Sequence, residues 1–131
     1  MMTERQPLEP IVAAIPKETA AGERRVALIP ELIPRLRQAG LAVLVQSGAG
    51  SEAGFPDSSY IEKGARIESE VLDKADIVLK VQPPNLDEVG KMQSGATLIG
   101  FLQPYAGITE IQALAARGVT AFSMEIGRAH V

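Results

Sequence analysis

The stretch Leu41-Ala42-Val43-Leu44-Val45-Gln46-Ser47-Gly48-Ala49-Gly50-Ser51-Glu52-Ala53-Gly54, "LAVLVQSGAGSEAG", runs from an apolar segment into three glycines. A short apolar run closed by glycines reads as a buried strand feeding a loop. In α/β folds such a loop can cradle a pyrophosphate if its glycines follow Gly-x-Gly-x-x-Gly and open a helix. Here Gly48-Ala49-Gly50 is followed by Ser51-Glu52-Ala53-Gly54, one residue too long for that pattern. Ala53 falls at the third glycine position, but Glu52 would aim a carboxylate at the pyrophosphate, and Phe55-Pro56 interrupts the helix that should follow. The strand is also the second of the chain rather than the first of a βαβ unit. The loop is therefore expected to be a structural turn, with no cofactor-binding residue in this chain.

Working outward, Ile11 to Ile15 is a continuous apolar run stopped by Pro16 and predicts the first buried strand. From Glu31 to Ala39, Leu32, Leu36 and Ala39 recur at helical spacing, with Gly40 placed as a left-handed stop. Pro34 is tolerable there only within the first turn. After the glycine loop a short helix is expected around Asp57 to Lys63, ended by Gly64. Ala75 to Val81 and Ala96 to Leu102 predict a third and a fourth strand. Ile108 to Arg117 predicts a helix with Ile108, Ile111, Leu114 and Ala115 on one face, ended by Gly118, and Val119 to Phe122 a fifth strand. Strands alternating with helices predict an α/β fold: a mostly parallel sheet flanked by helices, with Rossmann-like or flavodoxin-like layering. Right-handed crossovers would gather the C-terminal strand ends on one edge, where such folds bind ligands.

The bulk composition narrows the function. The 131 residues suffice for one domain with a core, which must be aliphatic because aromatics are 4% and tryptophan is absent. A net charge of -3 offers no electrostatic case for nucleic acid or an anionic membrane surface. With no cysteine, disulfides, thiolate metal sites and Cys nucleophiles are excluded. No apolar run approaches the roughly 20 residues that cross a bilayer, so no direct membrane insertion of this chain is expected.

Three strands finish in polar groups on the predicted ligand edge. Lys80 ends an Ile-Val-Leu run before Pro83-Pro84; it either snorkels to water or holds a substrate carboxylate or carbonyl oxygen. Arg25, in the loop after the first strand, either grips a carboxylate through two parallel hydrogen bonds or pairs with Glu18 or Glu23. Gln103, after the fourth strand, can exchange hydrogen bonds but cannot move a proton. The only histidine is His130, near the end of the sequence. Amine or alcohol oxidation needs an acid or base near neutral pH, usually histidine, whereas hydride exchange between two nicotinamides needs none.

Ile15-Pro16-Lys17-Glu18-Thr19, Glu23-Arg24-Arg25-Val26-Ala27, "QSGAG" and "ADIVLKVQPP" together resemble the N-terminal domain shared by alanine dehydrogenase and the alpha subunit of proton-translocating NAD(P) transhydrogenase. The resemblance runs in order from about residue 11 to Glu125. It implies that Arg25 and Lys80 match the residues that bind substrate carboxylate and carbonyl in the alanine dehydrogenase branch. Gln103 stands where that branch has its proton-handling histidine. "FLQPY" and "AFSME" look more like the transhydrogenase branch, in which Arg25, Lys80 and Gln103 line an inherited cleft without an assigned catalytic role. The resemblance further implies an incomplete first domain of a two-domain subunit, with the nucleotide loop in a second domain that is expected outside this chain. NAD(H) and NADP(H) would serve the full enzyme, and none is expected to bind this chain alone. Implied partners are a second copy in a homodimer and a membrane-embedded transhydrogenase subunit, at the cytoplasmic side of a bacterial membrane. The alternatives are an amino-acid dehydrogenase of the alanine dehydrogenase type, or a non-catalytic binding domain.

Residues 1–10 are expected to be a flexible lead-in and 11–125 the domain. Residues 126–131, Ile126-Gly127-Arg128-Ala129-His130-Val131, depart from the family pattern. They can be encoded by ATC GGA AGA GCA CAC GTC, the start of a common sequencing adapter, and are expected to be a non-native tail, which would leave His130 without a role.

Overall fold

Ala13, Ala14 and Ile15 are consecutive and all buried, which requires a strand covered on both faces, as the central strand of a parallel sheet is. The computed structural model describes residues 10–101 and 108–124. In it, strand β1 (Ile11–Ile15) leads to helix α1 (Ile33–Gln38), β2 (Leu41–Gln46), α2 (Asp57–Glu62) and β3 (Arg66–Glu68). The chain then continues through β4 (Ile77–Leu79), α3 (Leu86–Lys91), β5 (Thr97–Gly100), α4 (Ile108–Arg117) and β6 (Thr120–Ser123). All strand pairs are parallel, in the order β3-β2-β1-β4-β5-β6. That is the doubly wound Rossmann order rather than the flavodoxin one.

Each face has its own core. Ala14, Leu44, Val78 and Leu98 pack under Val71, Leu72, Val89, Met92 and Leu114 on one side. Ile15, Val43 and Val45 pack with Leu28, Ile33 and Tyr60 on the other. The second face thins toward β6. Val45 and Ile15 are fully buried, Leu79 and Ile99 are half-buried, and Phe122 is 56% exposed.

The structure departs from the expected elements in four ways. Among the described residues there are six strands, not five, because Arg66–Glu68 pairs with Leu44 to Gln46 at the sheet edge. Helix α3 was not expected; Asn85 and Glu88 form its capping box and start it directly after the prolines. The third expected strand is confined to Ile77–Leu79, between a turn at Leu72–Lys74 and the loop at Lys80. Helix α1 buries Ile33, while Leu32 and Ala39 are exposed. Pro34 lies in its first turn, where the missing N–H needs no intrahelical partner, and Gly40 follows at φ 94°.

Candidate functional site

The strand order changes direction between β1 and β4, so the crevice beyond their C-terminal ends is where a doubly wound sheet takes a ligand. Here that crevice is filled by the chain's own charges. Lys80 lies at the end of β4 with its side chain 1% exposed, Nζ 3.1 Å from Glu18 Oε1 and 3.4 Å from Glu88 Oε2. Glu18, from the loop after β1, also accepts the backbone N–H groups of Val81 (2.8 Å) and Gln82 (3.1 Å). Glu88 Oε1 accepts the Asn85 N–H at 2.9 Å, so the residue that caps α3 also faces the lysine. One carboxylate thus ties the β1 loop to the turn after β4, and a second ties that turn to α3.

Lys80 turns inward. It does not snorkel, and its ammonium is shared by two carboxylates of the same chain. A buried ammonium is stable only with such partners. Glu18 and Glu88 escaped the sequence reading as partners of Lys80: the first pairs across 62 residues, which leaves no local pattern, and the Asn85-x-x-Glu88 capping box was the available signal for the second.

Beside this network lies an open cleft of about 390 Å³ over the C-terminal ends of β4 and β5, lined by Arg25, Lys80, Val26, Leu79, Ile99 and Phe101 among others. Two of the three expected cleft residues, Arg25 and Lys80, therefore line the same cleft. Gln103 and His130 lie outside the described residues. Arg25 takes the paired alternative: its Nε and Nη2 each donate to Glu23 at 2.9 Å. The two hydrogen bonds and the adjacent charge hold Arg25 protonated above its ordinary value. The side-chain bond from Arg25, then the bond from Gln82 Nε2 (2.6 Å) and the Arg25 backbone N–H (2.8 Å), bring the Glu23 carboxyl down to about 2.

The glycine loop after β2 serves its own packing. Gly48 N donates to Asp57 Oδ1 at 2.9 Å and Ser47 Oγ to Asp57 Oδ2 at 3.2 Å, so a carboxylate from the next helix sits where an anion would. A side chain at Gly50 would come within 2.7 Å of the Tyr60 ring. Glu52 pairs with Arg24 at 3.2 Å. With Asp57 on the loop amide and Glu18 and Glu88 in the crevice, these residues do not fit the pyrophosphate of a dinucleotide. Among the described residues no cluster could hold a metal ion, and no helix is long and apolar enough to cross a membrane.

Residues 14–129 match the family described as alanine dehydrogenase/PNT, N-terminal domain. The chain is 39% identical over 121 residues to the first portion of NAD(P) transhydrogenase subunit alpha of Rhodospirillum rubrum, covering 86% of this chain and 32% of that protein. It is 37% identical over 115 residues to alanine dehydrogenase of Halomonas elongata, covering 86% of this chain and 31% of that protein. The crystal structure of transhydrogenase from Sinorhizobium meliloti superposes with a TM-score of 0.85 at 36% identity, over 88% of this chain and 35% of that one. The chain spans about a third of the length of the curated relatives it matches.

Proposed function

Because the chain belongs to the alanine dehydrogenase/PNT N-terminal domain family, whose members named above are oxidoreductases, we propose that it is the first domain of an NAD(P) transhydrogenase alpha subunit. The full enzyme would pass hydride from NADH to NADP, coupled to proton movement through a separate membrane-embedded subunit. In that reading the domain is a homodimeric scaffold beside the membrane, and the nucleotides are held by further regions of the protein.

The observation that carries this reading is that the charged groups described at the cleft are engaged by one another. Arg25 stays protonated, Glu23 is held ionised down to about pH 2, and Lys80 is enclosed by Glu18 and Glu88. Gln103, at the position that carries a histidine in the dehydrogenase branch, cannot carry a proton either. An amine oxidation must move a proton at the reacting centre, and hydride exchange between nicotinamides does not. The full-length protein, assembled with its membrane partner, should reduce an NAD analogue at the expense of NADPH. Oxidation of NADH that depends on pyruvate and ammonium would instead establish the amino-acid dehydrogenase. The isolated chain should show no measurable NADH binding; micromolar affinity by titration would contradict the assignment of the nucleotide sites elsewhere.

A further inference from the structure

A second cleft, of about 450 Å³, opens at the opposite edge of the sheet, around the N-terminal end of β2. Two guanidiniums line it, Arg37 from the last turn of α1 and Arg66 from the start of β3. Among the described residues no carboxylate lines it. Arg66 is 77% exposed and gives one Nη2 bond, at 3.0 Å, to Glu68, whose other oxygen is taken by Lys74. Arg37 has no hydrogen bond or ion pair among the described residues. Its side chain is placed nonetheless, because its stem passes over Gly64, where a Cβ would come within 2.8 Å of Arg37 Cδ. Gly64 is required by its φ of 108° at the end of α2, and the space it leaves is what the arginine occupies. Two cations that line one cleft repel each other, and an anion between them is attracted by both. Guanidinium N–H pairs match the spacing of phosphoryl oxygens. The volume suits a small organic ligand, and Pro10, Leu41 and Ala42 add apolar wall beside the charges.

We propose that this cleft binds a small soluble phosphate monoester, with its phosphoryl oxygens shared by Arg37 and Arg66 and its organic part against Pro10 and Leu41. Such a ligand binds with no covalent step. This site goes beyond the transhydrogenase reading and does not depend on it. It lies at the edge of the sheet away from the C-terminal strand ends and uses none of Arg25, Lys80 and Gln103.

The test is a heteronuclear NMR titration of the chain with phenyl phosphate, with inorganic phosphate as the bare anion and phenol as the uncharged body. Phenyl phosphate should saturate in the millimolar range, shift the amides of Gly40 and Gly64 and the Nε signals of Arg37 and Arg66, and bind more weakly as salt is added. Inorganic phosphate should move the same signals with several-fold lower affinity, and phenol should move none. Arg37→Met and Arg66→Met should each weaken phenyl phosphate by about tenfold, as expected when a charge-assisted contact is lost. Arg37→Lys should recover only part, because an ammonium keeps the charge without the planar fork. Undiminished binding by a folded Arg37→Met chain, or an equal response to phenol, would overturn the proposal. So would shifts centred on the glycine loop at 48–50 instead of Gly40 and Gly64, a decision the wild-type chain supplies even if a variant fails to fold. Phosphatidylcholine vesicles bearing phosphatidic acid form the last arm: capture of the chain by these vesicles without a response to the soluble ester would overturn the assignment to a small molecule.

Discussion

Lys80 and Glu18, 62 residues apart in the sequence, meet at 3.1 Å with both side chains withdrawn from water, 1% and 2% exposed. The pair locks the loop after β1 to the turn after β4, where the sheet changes direction. Removing one member of a buried pair strands the other, and the typical cost is about 3–5 kcal/mol. Lys80→Met should therefore be more damaging than Glu18→Gln, because it leaves Glu18 and Glu88 facing each other without a cation. The double substitution Glu18→Gln/Lys80→Met should cost less than the sum of the two, since the groups act as a unit. Urea unfolding of the four chains checks this, and strict additivity would deny the coupling.

The glycine loop makes a second prediction. At Gly50 the backbone angle is ordinary, but a Cβ would meet the Tyr60 ring at 2.7 Å and the Phe55 carbonyl at 2.8 Å. At Gly54 nothing lies within 4 Å, but φ is 92°. Gly50→Ala should thus cost about 2–3 kcal/mol by overpacking, and Gly54→Ala about 1 kcal/mol by left-handed strain. Thermal melts of the two variants would order them; the reverse order would mean that Tyr60 can move aside.

Local pattern made much of this architecture legible. The run Ile11 to Ile15 carries its own boundary in Pro16, and Gly40, Gly64 and Gly118 mark the ends of three helical segments by the backbone freedom each requires. What escaped was short or distant. Strand β3 has three residues, two of them the ion-paired Arg66 and Glu68, and owes its extended form to β2 rather than to an apolar pattern of its own. At the site, the end of β4 singled out Lys80, but its partners arrive from the β1 loop and from α3, and only the folded topology brings them together. Arg25 was legible as an exposed donor, and Glu23 as one of its two possible partners; the role of Gln82 was not.

Helix α3 has only six residues, too few to hold itself without its ends being satisfied. Asn85 Oδ1 accepts the Glu88 N–H at 2.8 Å, and Glu88 returns a carboxylate to the Asn85 N–H. Asn85→Ala should cost about 1 kcal/mol in overall stability. Because Glu88 also faces Lys80, the loss should extend past the helix start, with faster amide exchange at Val81 and Gln82 as well as at Glu88. Exchange changes confined to α3 would show that the cap and the ion network are independent.

Tyr60 is fully buried in the second core and donates to the Leu28 carbonyl at 2.7 Å. Burial, reinforced by the charges of Glu31 and Asp57, pushes its hydroxyl up to about 12 from an ordinary value of 10. A raised value means that the folded state favours the neutral phenol. Its contribution is complete below pH 10 and is lost as the pH rises from 10 toward 12, where the unfolded chain ionises first. The chain has two tyrosines, so absorbance at the phenolate band should rise in two steps, the later one coinciding with loss of secondary structure. Tyr60→Phe should lower stability near neutral pH by about 1–2 kcal/mol, because the Leu28 carbonyl loses its donor. The same substitution should flatten the fall in stability between pH 10 and 12. A variant as steep as the wild type in that range would place the alkaline transition on other groups.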